Sequence, residues 1–231
     1  MGTLLGVANS AGSSKALGIE DKIMKFAEKA RANGWGCEDP AEQPEKTGQD
    51  IATFVAKQGI PQRIISTLTG EHLSTPAYQA VEKFLGAPRE GWCLVLAGPK
   101  GCGKSTAAAY YLWEKARQSE GNPSSAMRWW TASRVARVSG YNQELEKMMQ
   151  VSHMVIDDLG TEYLDKNGYF SHRLDELIDD RYSNYKRTII TTNLNAKDFQ
   201  NRYGDRVADR IREGFKHGGG YAELDGKSLR A

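Results

Sequence analysis

The residues best suited to chemistry lie in one short run, Gly98-Pro99-Lys100-Gly101-Cys102-Gly103-Lys104-Ser105, followed by Thr106 and an alanine-rich stretch to Lys115. Gly98, Gly101 and Gly103 lack a Cβ, so the backbone there can curl and turn several N–H groups toward one anion. A helix beginning near Lys104 adds the positive end of its dipole. The apolar run Trp92 to Ala97 comes directly before, as a buried strand would. This is the G-x-x-x-x-G-K-[ST] pattern in its expected setting, a loop that cradles the phosphates of a nucleoside triphosphate. It predicts that Gly98 to Thr106 wrap the phosphates of a nucleoside triphosphate. Lys104 reaches the β and γ phosphates, and the Ser105 hydroxyl holds Mg²⁺.

Two later runs end in side chains of matching chemistry. Met154-Val155-Ile156-Asp157-Asp158-Leu159-Gly160 is an apolar strand closing on two carboxylates. In open parallel sheets, ligands sit beyond the carboxyl ends of the strands. Asp157 is therefore expected to face Ser105 and help hold Mg²⁺, directly or through water. Asp158 is expected to orient or deprotonate the attacking water. Taken alone, two aspartates after a strand also suit a turn. The next strand, Thr188 to Thr192, ends at Asn193, whose carboxamide can bond the attacking water or a γ-phosphate oxygen. Asn193 and Asn195 also suit turn and cap positions, and Asn195 is the better placed as N-cap. In Gly204–Gly214, Arg206 and Arg210 share one helical face and Val207 and Ile211 another. A guanidinium suits a γ-phosphate gaining charge. By itself, the pattern fits equally a solvated helix with ion pairs such as Arg206–Asp209.

Alternating elements must position these groups. Strands are expected at Trp92 to Ala97, Ala126 to Trp130, His153 to Asp157, Thr188 to Thr192 and Gly220 to Leu224. Helices are expected at 104–118, 132–149, 170–184 and 196–213. Strand–helix alternation predicts an α/β fold with a parallel sheet flanked by helices. Ahead of it, short helices are expected at Asp50 to Gln58 and Pro76 to Leu85, the second with Thr75 as N-cap. Residues 1–46 read as a flexible segment carrying an amphipathic helix, 19–33, and an acidic, proline-punctuated linker, 38–46. The remainder, 47–231, is expected to be the catalytic domain.

Composition narrows the function classes. The 231 residues carry a net charge of only +2, so nucleic-acid binding would need a local patch rather than a global charge. The three cysteines, Cys37, Cys93 and Cys102, have no metal-ligand spacing. A disulfide framework is not expected, and a reducing cytoplasm is. No apolar run approaches membrane-spanning length, and Met1 to Ser14 does not read as a signal peptide. His72, His153, His172 and His217 carry no readable role.

The combination of the phosphate loop, Ile156-Asp157-Asp158-Leu159-Gly160-Thr161-Glu162, Thr191-Thr192-Asn193-Leu194 and the helix Gly204–Ile211 resembles the DnaC/IstB group of AAA+ ATPases. Gly59-Ile60-Pro61-Gln62-Arg63 and the ending Asp225-Gly226-Lys227-Ser228-Leu229-Arg230 are similar to its entry and terminal motifs. The resemblance covers roughly residues 59–231 and implies a P-loop AAA+ ATPase, either a helicase loader of DNA replication or a helper ATPase of transposition. It implies Asp158 at the catalytic-carboxylate position, Asn193 as sensor, Arg210 or Arg206 as the arginine acting in trans, and Arg230 as a nucleotide sensor in cis. Aspartate in place of the common glutamate at 158 points to slow hydrolysis stimulated by DNA or partner. The implied partners are a hexameric replicative helicase, held through the Ile19–Ala30 helix (whose apolar stripe equally suits packing on its own core), and single-stranded DNA, with a homo-oligomer formed on the partner. Arg128, Trp129, Trp130, Arg134, Arg137, Tyr141 and Lys147 mix bases and aromatics as single-strand binding requires, with one tryptophan expected to point into the core. A P-loop kinase of a small molecule is one alternative, disfavoured because no arginine-bearing lid precedes the fourth strand, and a non-catalytic adaptor that binds ATP and hydrolyses none is another.

Overall fold

The computed structural model describes residues 47–69, 74–119, 127–137, 143–163 and 168–225, together with Lys25, Glu28 and Lys29. Glu45–Ala231 forms one compact unit and Met1–Pro44 another. The 38–46 linker, Tyr141 and Arg230 lie outside the described residues, as does the 19–33 helix apart from Lys25, Glu28 and Lys29, which are helical and exposed.

The larger unit begins with three helices, α1 (Gly48–Lys57), α2 (Gln62–Leu68) and α3 (Pro76–Gly86). Strand β1 (Cys93–Ala97) then leads into α4 (Lys104–Gln118), β2 (Met127–Thr131), α5 (Ala132–Arg137), α6 (Gln143–Gln150) and β3 (His153–Leu159). The chain ends with α7 (Tyr169–Ser183), β4 (Arg187–Thr192), α8 (Ala196–Tyr203), α9 (Asp205–Phe215) and β5 (Gly220–Glu223). The strands form one sheet in the order β2-β3-β4-β1-β5, and every pairing is parallel. Each crossover therefore returns every strand in the same direction. The tips of β1, β3 and β4, with their three candidate runs, meet at one end.

The central strands read as unbroken apolar runs because both sheet faces are covered. One face packs under α1–α4 around Leu94, Leu96, Val155 and Ile189, and the other under α5–α9 around Val95, Ile156, Ile190 and Leu177. Ala107, Ala108 and Ala109 let α4 lie close to the first face. Side-chain alternation sends Trp129 into the first core and Trp130 into the second, at 2% and 3% exposure. Neither indole is offered to DNA, so the expected stacking surface is corrected to its basic residues.

Of the expected 132–149 helix, the described residues Ala132–Arg137 (α5) and Gln143–Gln150 (α6) are helical. The 196–213 helix breaks at Gly204, whose φ of 88° ends α8. Segment α2, with Pro61 as its N-cap, was not expected.

At the opposite end of the sheet, two arginines seal the base. Arg181 has no exposed surface, and its hydrogen-bond partners are all neutral groups. It donates to Thr188 Oγ1 and to the carbonyls of Met148, Val151 and Arg187. Burial lowers its pKa to about 10. Arg187 donates to the carbonyls of Phe84, Ala87 and Pro88 at the end of α3 and stacks 3.8 Å over the Phe84 ring. Beside them, the Tyr111 hydroxyl and His153 Nδ1 share a 2.6 Å hydrogen bond. Burial, reinforced by Lys115, Arg187, Arg181 and Arg89, holds the His153 pKa down at about 3.

Replacing Arg181 with methionine keeps volume but strands four buried acceptors. Urea titration should show a loss of about 3 kcal/mol, and a loss within error would mean that the acceptors find other partners. His153 stays neutral in the fold while the unfolded chain takes up its proton near pH 6.5. Stability from this site is thus complete above pH 6.5 and drains away as pH falls toward 3, with a limiting slope of about 1.4 kcal/mol per pH unit. The stability–pH curve of His153→Gln should be flatter than wild type across that window; parallel curves would contradict a neutral His153.

Candidate functional site

The loop between β1 and α4 takes its shape from residues that a side chain would spoil. Gly98 has φ 152°, and a Cβ there would approach the Leu224 carbonyl to 2.5 Å. Its N–H donates to Thr192 O, which ties the loop to the tip of β4. The loop residues Pro99 and Lys100 are exposed, Gly101, Gly103, Ser105 and Thr106 are half-buried, and Cys102 is buried. The 15-residue helix α4 starts at Lys104, so its N-terminal dipole and free N–H groups point into the loop.

Lys104 is buried, and its ammonium is the centre of the site. It donates to Gly98 O and Pro99 O, both at 2.8 Å, and to Asn193 Oδ1 at 3.0 Å. The carboxamide at the end of β4 therefore meets the phosphate-loop lysine directly. Asn195, two residues on, caps α8 by accepting from Asp198 N, which leaves the Asn193 side chain to the site.

The two aspartates are separated by a bulge. Opposite β4, Ile156 pairs with Ile190 and Leu159 with Thr192, so β3 spends one residue more than its neighbour. Asp158 takes up the excess in the left-handed region, φ 60°, a conformation that aspartate tolerates better than most residues. A regular strand would throw neighbouring side chains to opposite faces. The bulge instead leaves Asp157 buried and Asp158 exposed at the same strand end.

Asp157 accepts from Thr191 Oγ1 at 2.7 Å. Burial pushes the Asp157 pKa up, with the nearby Thr191 and Ser105 hydroxyls opposing. The carboxylate thus gains from a nearby cation. Among the described residues no cluster of three or more His, Cys, Asp or Glu is arranged to hold a metal. Ser105 and Asp157 supply hard oxygen ligands but too few for a resident ion. That donor set fits Mg²⁺ arriving on phosphate oxygens with its waters.

Three residues of the site were missed in sequence. Thr191 accepts from Asp158 N while donating to Asp157, and so fixes the bulge at two points. Thr192 donates to Leu159 O and accepts from Leu194 N. Glu162 is a buried hub that accepts from Gly160 N, Arg202 and Tyr203 Oη, joining the loop after β3 to α8. Burial and the adjacent Glu162 raise the Tyr203 phenol. Strand residues such as Thr191 and Thr192 give no sequence signal of this role. The Glu162–Arg202 spacing does not mark a pair either.

The arginines of α9 sit elsewhere. Arg210 pairs with Asp175 and Asp179 of α7, and Arg206 bonds the same two carboxylates at 3.1 and 3.5 Å. The Arg206–Asp209 pair is not formed, because Asp209 pairs with Arg212. Arg206 is 65% exposed and Arg210 13%. Neither guanidinium bonds Asp157, Asp158 or Asn193 in its own chain. On the β2 edge, Glu144 takes up Arg134 and Lys147, while Arg128 and Arg137 are exposed with no carboxylate partner among the described residues. No helix among the described residues is long and apolar enough to cross a membrane.

The family described as IstB-like ATP binding protein matches residues 43–231 of the chain. None of the curated proteins matches it. Among solved structures, the DnaC helicase loader is 23% identical with a TM-score of 0.51, covering 68% of this chain and 94% of that one. DnaI is 20% identical with a TM-score of 0.54, covering 74% and 94%. AMPPCP-bound DnaA from Aquifex aeolicus is 16% identical with a TM-score of 0.53, covering 67% and 47%. At these identities the likeness is one of fold, and the fold is the P-loop AAA+ sheet. The family match spans the phosphate loop, both aspartates and the arginine helix, and by it the chain belongs to the IstB-like ATP-binding proteins, AAA+ ATPases of the DnaC/IstB kind.

Proposed function

We propose that the protein is an ATP-dependent helicase loader of DNA replication. With ATP bound it grips a hexameric replicative helicase and single-stranded DNA, and slow hydrolysis releases them. The observation that carries the ATP-driven half is the Lys104–Asn193 hydrogen bond. It joins the phosphate loop to the tip of β4, beside the Ser105–Asp157 contact and the exposed Asp158.

Each side chain then has a task. The loop N–H groups and Lys104 bind the triphosphate, and Lys104 exchanges its carbonyl partners for phosphate oxygens. Ser105 and Asp157 would hold Mg²⁺, which when bound neutralises charge on the phosphate oxygens. Asp158 accepts the proton of the attacking water, and Asn193 orients that water or a γ-phosphate oxygen. Arg210, with Arg206 beside it, acts on the nucleotide of a neighbouring copy assembled on the partner. Their engagement away from their own site supports a role in trans. Arg230 is assigned nucleotide sensing in cis.

The loader reading is supported by the fold likeness to DnaC and DnaI, which extends over 94% of each of those chains. Exposed Arg128 and Arg137 are the basic groups assigned to single-stranded DNA. A second reading, in keeping with the match to the IstB-like family, is a transposition helper acting with duplex DNA and a transposase. Capture from source lysate with ATP and with ADP separates them: recovery of a replicative helicase only with ATP supports loading, and recovery of a transposase supports the helper.

Two substitutions test the chemistry. Lys104→Ala should weaken ATP binding by about 100-fold or more in a calorimetric titration, since it removes the cation under the phosphates; unchanged affinity would refute the site. Asp158→Asn keeps a side chain that tolerates positive φ and removes the base. It should bind ATP normally and hydrolyse it about 10²–10⁴-fold more slowly, and hydrolysis at the wild-type rate would remove Asp158 from the reaction.

A further inference from the structure

Strand β5 ends the sheet, and its second edge pairs with no strand among the described residues. The direction of its main-chain groups follows from one bond. Leu224 N–H donates to Ala97 O, so with a period of two Gly220 and Ala222 turn their main-chain groups toward β1, while Tyr221 and Glu223 turn theirs outward. An unpaired edge of this kind is a template for an added strand.

Both faces beside that edge are hollow. On the α3 side lies a groove of about 720 Å³ bounded by Ala80, Lys83, Ala87, Lys216, His217 and Ala222. Its lining contains two lysines and a histidine and no carboxylate. A Cβ at Gly220 would meet only Leu94, at 4.0 Å, so the floor of the groove is open. On the opposite face, Phe199, Ala208, Ile211, Phe215 and Tyr221, together with Ala196 and Arg212, line a mostly apolar dimple of about 50 Å³. The Tyr221 hydroxyl donates to Leu194 O, which holds its ring on that side.

A strand laid along β5 would send successive side chains alternately into these two hollows. Charge complementarity selects acidic groups for the basic groove, and size and apolarity select small aliphatic groups for the dimple. We propose that β5 is a docking edge for an extended segment of a partner protein in which acidic and small aliphatic residues alternate. Main-chain bonds to Tyr221 and Glu223 hold the segment, and the two hollows read its side chains. The proposal is independent of the ATP chemistry, because none of these residues belongs to the phosphate site.

The test uses the full chain and a fluorescein-labelled peptide of about eight residues alternating glutamate and valine, followed by anisotropy. Binding is expected, and methylating alternate peptide nitrogens should weaken it by about tenfold or more, because the main-chain bonds are lost. The double substitution Lys83→Glu/Lys216→Glu should also weaken it by about tenfold and shift preference to a lysine–valine peptide. ATP affinity, measured on the same samples, reports folding and should not change. No binding to folded protein, or equal binding of the methylated peptide, overturns the proposal. Displacement by a single-stranded oligonucleotide overturns it in favour of an anion patch. Self-association that Glu223→Pro abolishes and the peptide does not disturb overturns it in favour of a second copy on the edge.

Discussion

The site depends on the hydroxyl of Thr191. It receives the Asp158 N–H and gives its proton to the Asp157 carboxylate, and so holds β3 in a bulge against β4. A regular β3 would place one aspartate on each face of the sheet, under different helices. With the bulge, Asp157 turns in toward Ser105 and Asp158 stays exposed at the same strand end. Thr192 and Glu162 continue the restraint into the following loop, where Glu162 draws Gly160, Arg202 and Tyr203 onto one carboxylate. The positive φ of Asp158 is thus over-determined by neighbours on β4 and α8, the condition under which such strain persists.

The two ends of the sheet are complementary because the fold is parallel. Parallel crossovers set helix N-termini at the strand tips and helix C-termini at the strand starts, so free N–H groups gather at one end and free carbonyls at the other. At the tips, α4 and the phosphate loop form a place for an anion. At the base, the carbonyls ending α3 and α6 are met by Arg187 and Arg181. These arginines need no carboxylate because helix ends supply the negative partial charge. His153, at the start of β3, remains neutral chiefly because it is buried, and the surrounding cations add to the effect.

How much of this was legible in sequence depends on whether the signal was local. The phosphate loop, the β1 and β4 runs and the Asn195 cap are contiguous patterns, and their elements fall within a residue or two of expectation. The alternating strands also specified the parallel sheet, which the structure and the family match both bear out. The rest is tertiary. Nothing in Thr-Ile-Ile-Thr-Thr says that one hydroxyl will pin a bulge on another strand. Nothing local marks Arg181 and Arg187 as buried, because their partners are carbonyls from distant segments. Both tryptophans of β2 are buried because this edge strand is covered on two faces, which a local charge pattern cannot reveal.

The paired arginines of α9 differ in how firmly they are held. Arg206 and Arg210 share Asp175 and Asp179, a closed set of two positive and two negative charges lying between α7 and α9. Exposed pairs of this type contribute about 0–1 kcal/mol each, because water competes for both members. A γ-phosphate gaining charge in transfer attracts a guanidinium more strongly than that, since the interaction forms in a water-poor site. Arg206, the more exposed of the two, can leave at small cost, whereas Arg210 is packed and its carbonyl also accepts from Trp92 Nε1. For the proposed role in trans, Arg206 is thus the readier of the two to leave, and Arg210 is the one held by its surroundings.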